Sequence, residues 1–124
     1  GDPSLAPVGI FTREAFESVD LWEDVSKDAI FALDTRAAMA AVQSGNADYG
    51  IVYKTDAISS DAVLIVYEIQ EIYPAIEYVG GKIAEASRSE AAAEFLKFVA
   101  SSPKTRNLFV MAGFNFDSPV TNNP

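Results

Sequence analysis

The chain contains no cysteine and no histidine. This composition excludes disulfide bonds, thiolate nucleophiles, histidine-based catalytic triads and zinc sites of the Cys/His type. Carboxylates, lysine, tyrosine, serine and threonine remain for catalysis, and none of them stands in a spacing that is typical of an enzyme motif. The sequence therefore favours a binding protein over an enzyme, and it predicts neither a metal centre nor a cofactor.

Basic residues are also few, since 9 Lys and Arg stand against 18 Asp and Glu, for a net charge of −9. Nucleic-acid surfaces need a basic stripe, so we expect no nucleic-acid partner. A small anion stays possible as a ligand because local N–H groups and helix N-termini can hold it whatever the net charge. Apolar runs such as residues 62–67 are too short to cross a bilayer, and 124 residues with 49% hydrophobic content predict one modest domain.

Apolar residues recur at helical spacing in five segments of the chain. Asp34 or Thr35 is expected to cap the third helix, Gly45 to end it in a left-handed conformation, and Pro103 to begin the last helix, which ends at Gly113. A Ser87 or Ser89 cap is expected before the fourth. The predicted helices span residues 9–19, 21–25, 36–44, 89–100 and 103–112.

Between these helices lie short apolar or alternating runs that predict strands, at residues 29–33, 49–54, 62–69 and 72–83. The order of elements predicts an α/β fold with a mixed sheet flanked by helices. The strand from Gly50 to Tyr53 is expected at its centre, which puts the Tyr53 hydroxyl at a strand's carboxyl end, where open α/β sheets bind ligands. Residues 56–61 are expected to form a polar loop or a short helix.

Pattern alone leaves a structural role open for the residues with the best position for binding. Val8 stands at a turn-to-helix junction and Thr35 at a helix cap, and both places have ordinary capping functions. Tyr53 has the character of a half-buried strand aromatic, and Trp22 that of a packing anchor. The acidic residues Asp48, Asp56 and Asp61 lack the spacing of a calcium loop, so they are interpreted as solvated loop carboxylates.

Several segments together resemble the C-terminal half of the periplasmic molybdate-binding proteins, the solute receptors of molybdate ABC transporters. The run Gly50-Ile51-Val52-Tyr53 with Asp56-Ala57 is the most specific of them, whereas the terminal helix pattern is shared by many type II binding proteins. The other segments that carry the resemblance are residues 1–3 and 6–9, Leu21-Trp22, Arg36, Phe95-Leu96 and Ala112-Gly113-Phe114.

The resemblance implies one lobe of a type II periplasmic binding protein that binds molybdate or tungstate without catalysis, metal or counter-cation. It implies that the backbone N–H groups of Val8 and Thr35 and the hydroxyl of Tyr53 contact the oxyanion. Residues 1–84 would form the ligand-binding lobe, and residues 85–114 would form helices that pack on this lobe or on a first lobe. Residues 115–124 would be a tail.

The same resemblance implies partners and a location. The partners are the oxyanion and the membrane subunits of an ABC transporter, and the location is periplasmic or extracellular, with a membrane anchor compatible with the full-length protein. The alternative is a stand-alone or regulatory interaction module that self-associates and does not bind oxyanion tightly. A homodimer would then form through an exposed edge, with Ile76, Tyr78 and the terminal helices as contributors.

Overall fold

The secondary structure of the computed structural model is helical in the residues that it describes, 1–70 and 76–116. The chain divides into two units, Gly1–Ala75 and Ile76–Pro124. The domain boundary expected at residues 84 and 85 stays a prediction. The helices are α1 (Pro7–Glu17), α2 (Trp22–Lys27), α3 (Thr35–Gln43), α4 (Lys54–Ile58), α5 (Ser89–Ser101) and α6 (Pro103–Met111).

Helix α1 begins two residues earlier than its apolar pattern suggested because Pro7 occupies the first turn. Proline suits that place, since its ring presets the helical φ and its missing N–H would have no partner there. Ala6 precedes the helix and offers no side-chain cap. At the other end the Ser18 N–H donates to the Glu14 carbonyl at 3.1 Å, which closes the helix. The first predicted helix is therefore confirmed, with shifted ends.

Helix α3 has both of the end signals that the sequence predicted. The Asp34 carboxylate accepts a hydrogen bond from the Ala37 N–H at 2.8 Å, so Asp34 rather than Thr35 is the cap. Past the other end Gly45 has φ of 74°, a left-handed conformation that glycine adopts without strain. The short segment expected at residues 56–61 as a loop or helix is helix α4, which begins earlier, at Lys54.

The second unit contains α5 and α6, which pack against each other. The residue before α5 is Arg88, and it makes no side-chain cap, so the expected Ser87 or Ser89 cap is wrong. Helix α6 begins at Pro103, as predicted, and the Ser102 hydroxyl accepts a hydrogen bond from the Thr105 N–H at 3.4 Å. Gly113 follows α6 with φ of 91°.

Four aromatic rings form a cluster beside α6. Phe109 and Phe114 meet edge to face at 5.4 Å, and Tyr78 meets Phe114 in the same way at 5.3 Å. Phe116 stacks on Phe109 at 5.4 Å between ring centroids. Such pairs add about 0.5–1.5 kcal/mol each beyond the burial of their area. The first residues of the predicted tail, Asn115 and Phe116, thus include one that packs on α6; residues 117–124 lie outside the described residues.

The predicted mixed α/β sheet is wrong: the described parts of the four predicted strands contain no β-strand. Residues 72–75 of the last one lie outside the described residues. A strand needs a ladder of hydrogen bonds to a partner and a covering layer, and local alternation specifies neither. The hydrogen bond from the Asp2 N–H to the Ala32 carbonyl at 2.7 Å joins a predicted strand to another segment, but a single bond of this kind is not a ladder.

The side chains of the predicted strand at residues 62–69 show the missing cover directly. Leu64 is 87% exposed, Val66 74% and Tyr67 78%. Within the described residues the buried hydrophobic side chains are all small or medium in size and lie in the first unit, at Ala6, Val8, Ala15 and Ala57. The buried core of the described residues therefore consists of small side chains at α1, at the residue before it and at α4, and not of a covered sheet.

Candidate functional site

The three residues expected to bind a ligand all lie at the start of a helix. Val8 is the second residue of α1, Thr35 is the first residue of α3, and Tyr53 directly precedes α4. The N–H groups of a helix's first turn have no partner inside the helix, and the helix dipole places partial positive charge there. Local structure thus gives Val8 and Thr35 the donor character that an anion requires.

The start of α1 is held against the residues that precede it. The Ala6 carbonyl accepts hydrogen bonds from the Gly9 N–H at 2.9 Å and the Ile10 N–H at 3.3 Å, and the Ala6 N–H donates to the Asp2 carbonyl at 2.9 Å. Val8 is buried, and a Cβ on its neighbour Gly9 would lie 2.5 Å from the Gly1 carbonyl oxygen. This close backbone approach fixes the turn on which the Val8 N–H lies.

Asp2 links the starts of α1 and α3. Its N–H donates to the Ala32 carbonyl at 2.7 Å, which ties the segment before α1 to the segment before α3. Its carboxylate accepts hydrogen bonds from the Ser4 hydroxyl at 2.7 Å and the Ser4 N–H at 2.8 Å. These bonds, the hydroxyl first, lower the pKa of Asp2, so the carboxylate stays ionised and keeps the turn closed.

The Asp34 carboxylate lies at the start of α3, where it accepts one of the N–H groups that a bound anion would also attract. Asp34 accepts the N–H of Ala37, the third residue of the helix, at 2.8 Å. The negative charge of Asp34 is favourable for the helix dipole but repels a second anion at the same end. Any anion that Thr35 binds must therefore gain more from its other donors.

Tyr53 is fixed by the first turn of α4. Its carbonyl accepts hydrogen bonds from the Asp56 N–H at 3.0 Å and the Ala57 N–H at 3.1 Å, and its backbone is extended, with φ of −69° and ψ of 146°. The sequence placed Tyr53 at the end of a strand, whereas the structure makes it the residue before a helix. A helical turn, and not a strand end, therefore supports the half-buried side chain of Tyr53.

Two contacts hold α4 in place. Lys54 Nζ lies 2.7 Å from Glu68 Oε1, and Gln43 Nε2 donates to Ser60 Oγ at 2.9 Å. The first contact ties the beginning of α4 to the predicted strand at residues 62–69, and the second ties the residues after α4 to the end of α3. Because Thr35 begins α3, the helices that carry Thr35 and Tyr53 belong to one packed pair.

A cleft of about 350 Å³ opens between α3 and α4. A second cavity, of about 50 Å³, is apolar and lies between α3 and residues 50–63. Neither cavity is lined by Val8, Thr35 or Tyr53. The structure packs the helices of Thr35 and Tyr53 together, but it does not gather the three residues around one described cavity. The walls of the larger cleft are Arg36, Met39, Gln43, Asp56, Ser59 and Ser60.

Sequence reasoning missed the cleft between α3 and α4, although a signal for one of its walls was present. Arg36, Met39 and Gln43 recur at helical spacing and therefore share one face of α3. That spacing was visible in the sequence. The opposite wall, at Asp56, Ser59 and Ser60, could not be found in the same way, because its approach to α3 depends on how α4 packs.

Residues 1–70 and 76–116 contain neither a cluster of metal ligands nor a membrane-spanning helix. No group of three or more Asp and Glu side chains there is placed to hold a metal ion. None of the helices in residues 1–70 and 76–116 combines the length and the hydrophobicity that crossing a lipid bilayer requires.

Comparison with known proteins assigns the chain to a family. Residues 1–115 match the family described as bacterial extracellular solute-binding protein. The chain belongs to this family. It is 31% identical over 115 residues to a protein of Bacillus subtilis whose name describes a substrate-binding lipoprotein of an ABC transporter.

This solute-binding protein is also similar to two molybdate-binding proteins called ModA, which confirms the resemblance inferred from its motifs. It is 30% identical over 115 residues to ModA of Escherichia coli and 31% identical over 120 residues to ModA of Haemophilus influenzae. The matches cover 92% of the chain for the first and 95% for the second. The chain spans 44% or 45% of the length of the three relatives, so it corresponds to less than half of each.

Proposed function

We propose that the chain is part of the solute receptor of an ABC importer and supplies part of a binding site for a tetrahedral oxyanion, molybdate or tungstate. The donors are the backbone N–H groups of Val8 and Thr35 and the Tyr53 hydroxyl. The observation that carries the proposal is that all three residues lie at helix starts. Two relatives whose names specify molybdate binding support the choice of ligand.

The chemistry of the three donors suits an oxyanion. A dianion that leaves water must regain its hydrogen bonds from fixed groups, and each charge-assisted bond contributes about 1.5–3 kcal/mol. N–H and O–H donors carry no full charge, so they select by distance and direction. Sulfate has the charge and shape of molybdate but is smaller, and a site of fixed donors distinguishes the two by size. The proposal requires no catalytic residue, metal or cofactor.

The proposed partners follow from the family and not from a surface of this chain. A solute receptor hands its ligand to the membrane subunits of a transporter, and we propose such subunits as the protein partners. A family of extracellular solute-binding proteins points to the periplasm or the cell exterior as the location. The Bacillus subtilis relative is named as a lipoprotein, which makes a membrane-anchored full-length form part of the proposal.

Titration calorimetry of the full-length protein with sodium molybdate, tungstate and sulfate tests the ligand. Tyr53→Phe removes one hydroxyl donor and should weaken molybdate binding roughly 10- to 150-fold, the equivalent of one charge-assisted hydrogen bond. The matched control is Tyr49→Phe, because Tyr49 is 79% exposed and its hydroxyl has no place in the proposed site. Equal affinities for wild type and Tyr53→Phe would remove Tyr53 from the site, and no heat with any of the three anions would refute the proposal.

The alternative function is a module that self-associates and does not bind oxyanion tightly, and one observation favours it. In the first unit, consecutive apolar side chains of residues 64–67 are largely exposed. In the second unit, Leu108 and Met111 are 58% and 76% exposed on α6. Exposed apolar patches mark interaction surfaces. Light scattering of the chain at increasing concentration separates the two: a stable dimer that dissociates in a Leu64→Ser variant supports the module, and a monomer at all concentrations refutes it.

A further inference from the structure

The short helix α4 needs support from outside itself. It has five residues, Lys54–Ile58, and helices of this length are not stable alone because nucleation is unfavourable. Its first residue, Lys54, places a positive charge at the helix end where the dipole disfavours cations. Yet the carbonyl of Tyr53 depends on this turn, since it accepts the Asp56 and Ala57 N–H groups at 3.0 and 3.1 Å.

The ion pair of Lys54 and Glu68 supplies that support. The two charged groups are 2.7 Å apart and about half exposed, at 46% and 42% of their side-chain surface. The pair joins residues 14 positions apart in sequence, in contrast to the Arg13–Glu17 and Lys27–Asp24 pairs, which are i,i+4 and i,i+3 contacts within one helix. Glu68 thus offsets the unfavourable charge at the start of α4 and anchors this start to a distant part of the chain.

We infer that Lys54 and Glu68 are positioning residues for Tyr53: their ion pair holds the first turn of α4 and thereby fixes the direction of the Tyr53 side chain toward a ligand. The inference rests on the proposed function for its ligand, but the contact itself does not. Neither side chain is placed among the ligand donors. The effect on binding is expected to pass through Tyr53 alone, which separates this role from a general contribution to stability.

Hydrogen exchange in the absence of ligand tests the contact first. In Glu68→Gln of the full-length protein, the amide protons of Asp56 and Ala57 should exchange about two- to fivefold faster, as expected for the loss of an exposed ion pair. Lys54→Met should give the same change, and the exchanged pair Lys54→Glu with Glu68→Lys should restore slow exchange. The matched control is Asp24→Asn, which breaks the exposed Lys27–Asp24 pair of 2.7 Å on α2 and should leave these two amides unchanged.

A double-mutant cycle with molybdate tests the role. Glu68→Gln should weaken molybdate binding about two- to fivefold when Tyr53 is present, and it should have no further effect in Tyr53→Phe. Unchanged exchange at Asp56 and Ala57, or an equal loss of affinity in both backgrounds, would overturn the inference. If the wild-type protein binds no oxyanion, the proposed function fails, and the exchange data alone then decide whether the ion pair holds the turn.

Discussion

Replacing Gly9 by alanine sets two effects of opposite sign against each other. Gly9 lies inside α1, where alanine is favoured over glycine by about 0.5–1 kcal/mol through helix propensity. Against this, the new Cβ would lie 2.5 Å from the Asp2 carbonyl carbon and the Gly1 oxygen, and 2.6 Å from the Asp2 oxygen. These are backbone atoms, which cannot rotate away as a flexible side chain does, so the segment before α1 must move.

The magnitude follows from what that movement disrupts. Overpacking costs about 1–3 kcal/mol. The displaced Asp2 also loses its 2.7 Å hydrogen bond to Ala32, which adds about 0.5–1.5 kcal/mol. After the gain in propensity is subtracted, Gly9→Ala should lower the free energy of unfolding by roughly 0.5–4 kcal/mol, and each kcal/mol should lower the Tm by about 2–8 °C, with the smaller shift expected for a larger protein.

Urea and thermal unfolding of the full-length protein measure this change. The matched control is Gly81→Ala, since a Cβ at Gly81 meets nothing within 4 Å and its φ is not positive. That variant should be neutral or slightly stabilised, because alanine reduces the entropy of the unfolded chain. A Gly9→Ala protein more stable than wild type would show that helix propensity wins and that the approach of Asp2 to α1 is not tight. The reasoning about the Val8 turn would then be refuted.

Three further predictions concern the same helix starts. Asp34→Ala should lower the free energy of unfolding by about 0.5–2 kcal/mol because it removes the cap of α3, and urea unfolding measures this loss. Asp34→Asn should keep most of that stability and bind molybdate more tightly, because a repelling charge is gone, and calorimetry measures the affinity. The lowered pKa of Asp2 means that its contribution to stability is present above the unfolded pKa of about 3.9 and is lost as pH falls through the folded pKa. Because the Ser4 hydroxyl is the largest cause of this lowering, Ser4→Ala should move the titration of the Asp2 carboxyl group, followed by NMR, to higher pH. The 124-residue chain alone should bind molybdate several orders of magnitude more weakly than the full-length protein, since it offers few donors; equal affinities in calorimetry would contradict this.

Helices were predictable from the sequence because the signals that specify them are local. The cap at Asp34, the left-handed Gly45 and Pro103 at the start of α6 each act within one turn, and all three are found as predicted. The predicted sheet failed for the opposite reason. A strand at residues 62–69 would require a segment that pairs with it and a layer that covers it, and the apolar pattern of these residues alone specifies neither.

The candidate site divides in the same way. The resemblance implied the donor roles of Val8 and Thr35, whereas the sequence signals themselves, a proline, a cap and an apolar pattern, predicted only the helix starts on which the structure places both residues. The resemblance also implied the role of Tyr53, but its predicted position at a strand end is wrong, since it lies directly before a helix. The Lys54–Glu68 pair had no sequence signal, because the two residues are 14 positions apart and their contact depends on tertiary packing.

The placement of all three proposed ligand residues at helix starts changes which parts of the molecule should control binding. A site at the edge of a sheet would depend on the register of its strands, so a shift of one residue would turn Tyr53 to the other face. A site at helix starts depends on first turns, which are set by Gly9 and Asp2 for Val8, by Asp34 for Thr35, and by Lys54 with Glu68 for Tyr53. Substitutions in these turns should therefore change affinity even where they contact no ligand, whereas polar substitutions at exposed Leu64 or Val66 should change association between chains and leave the donors in place.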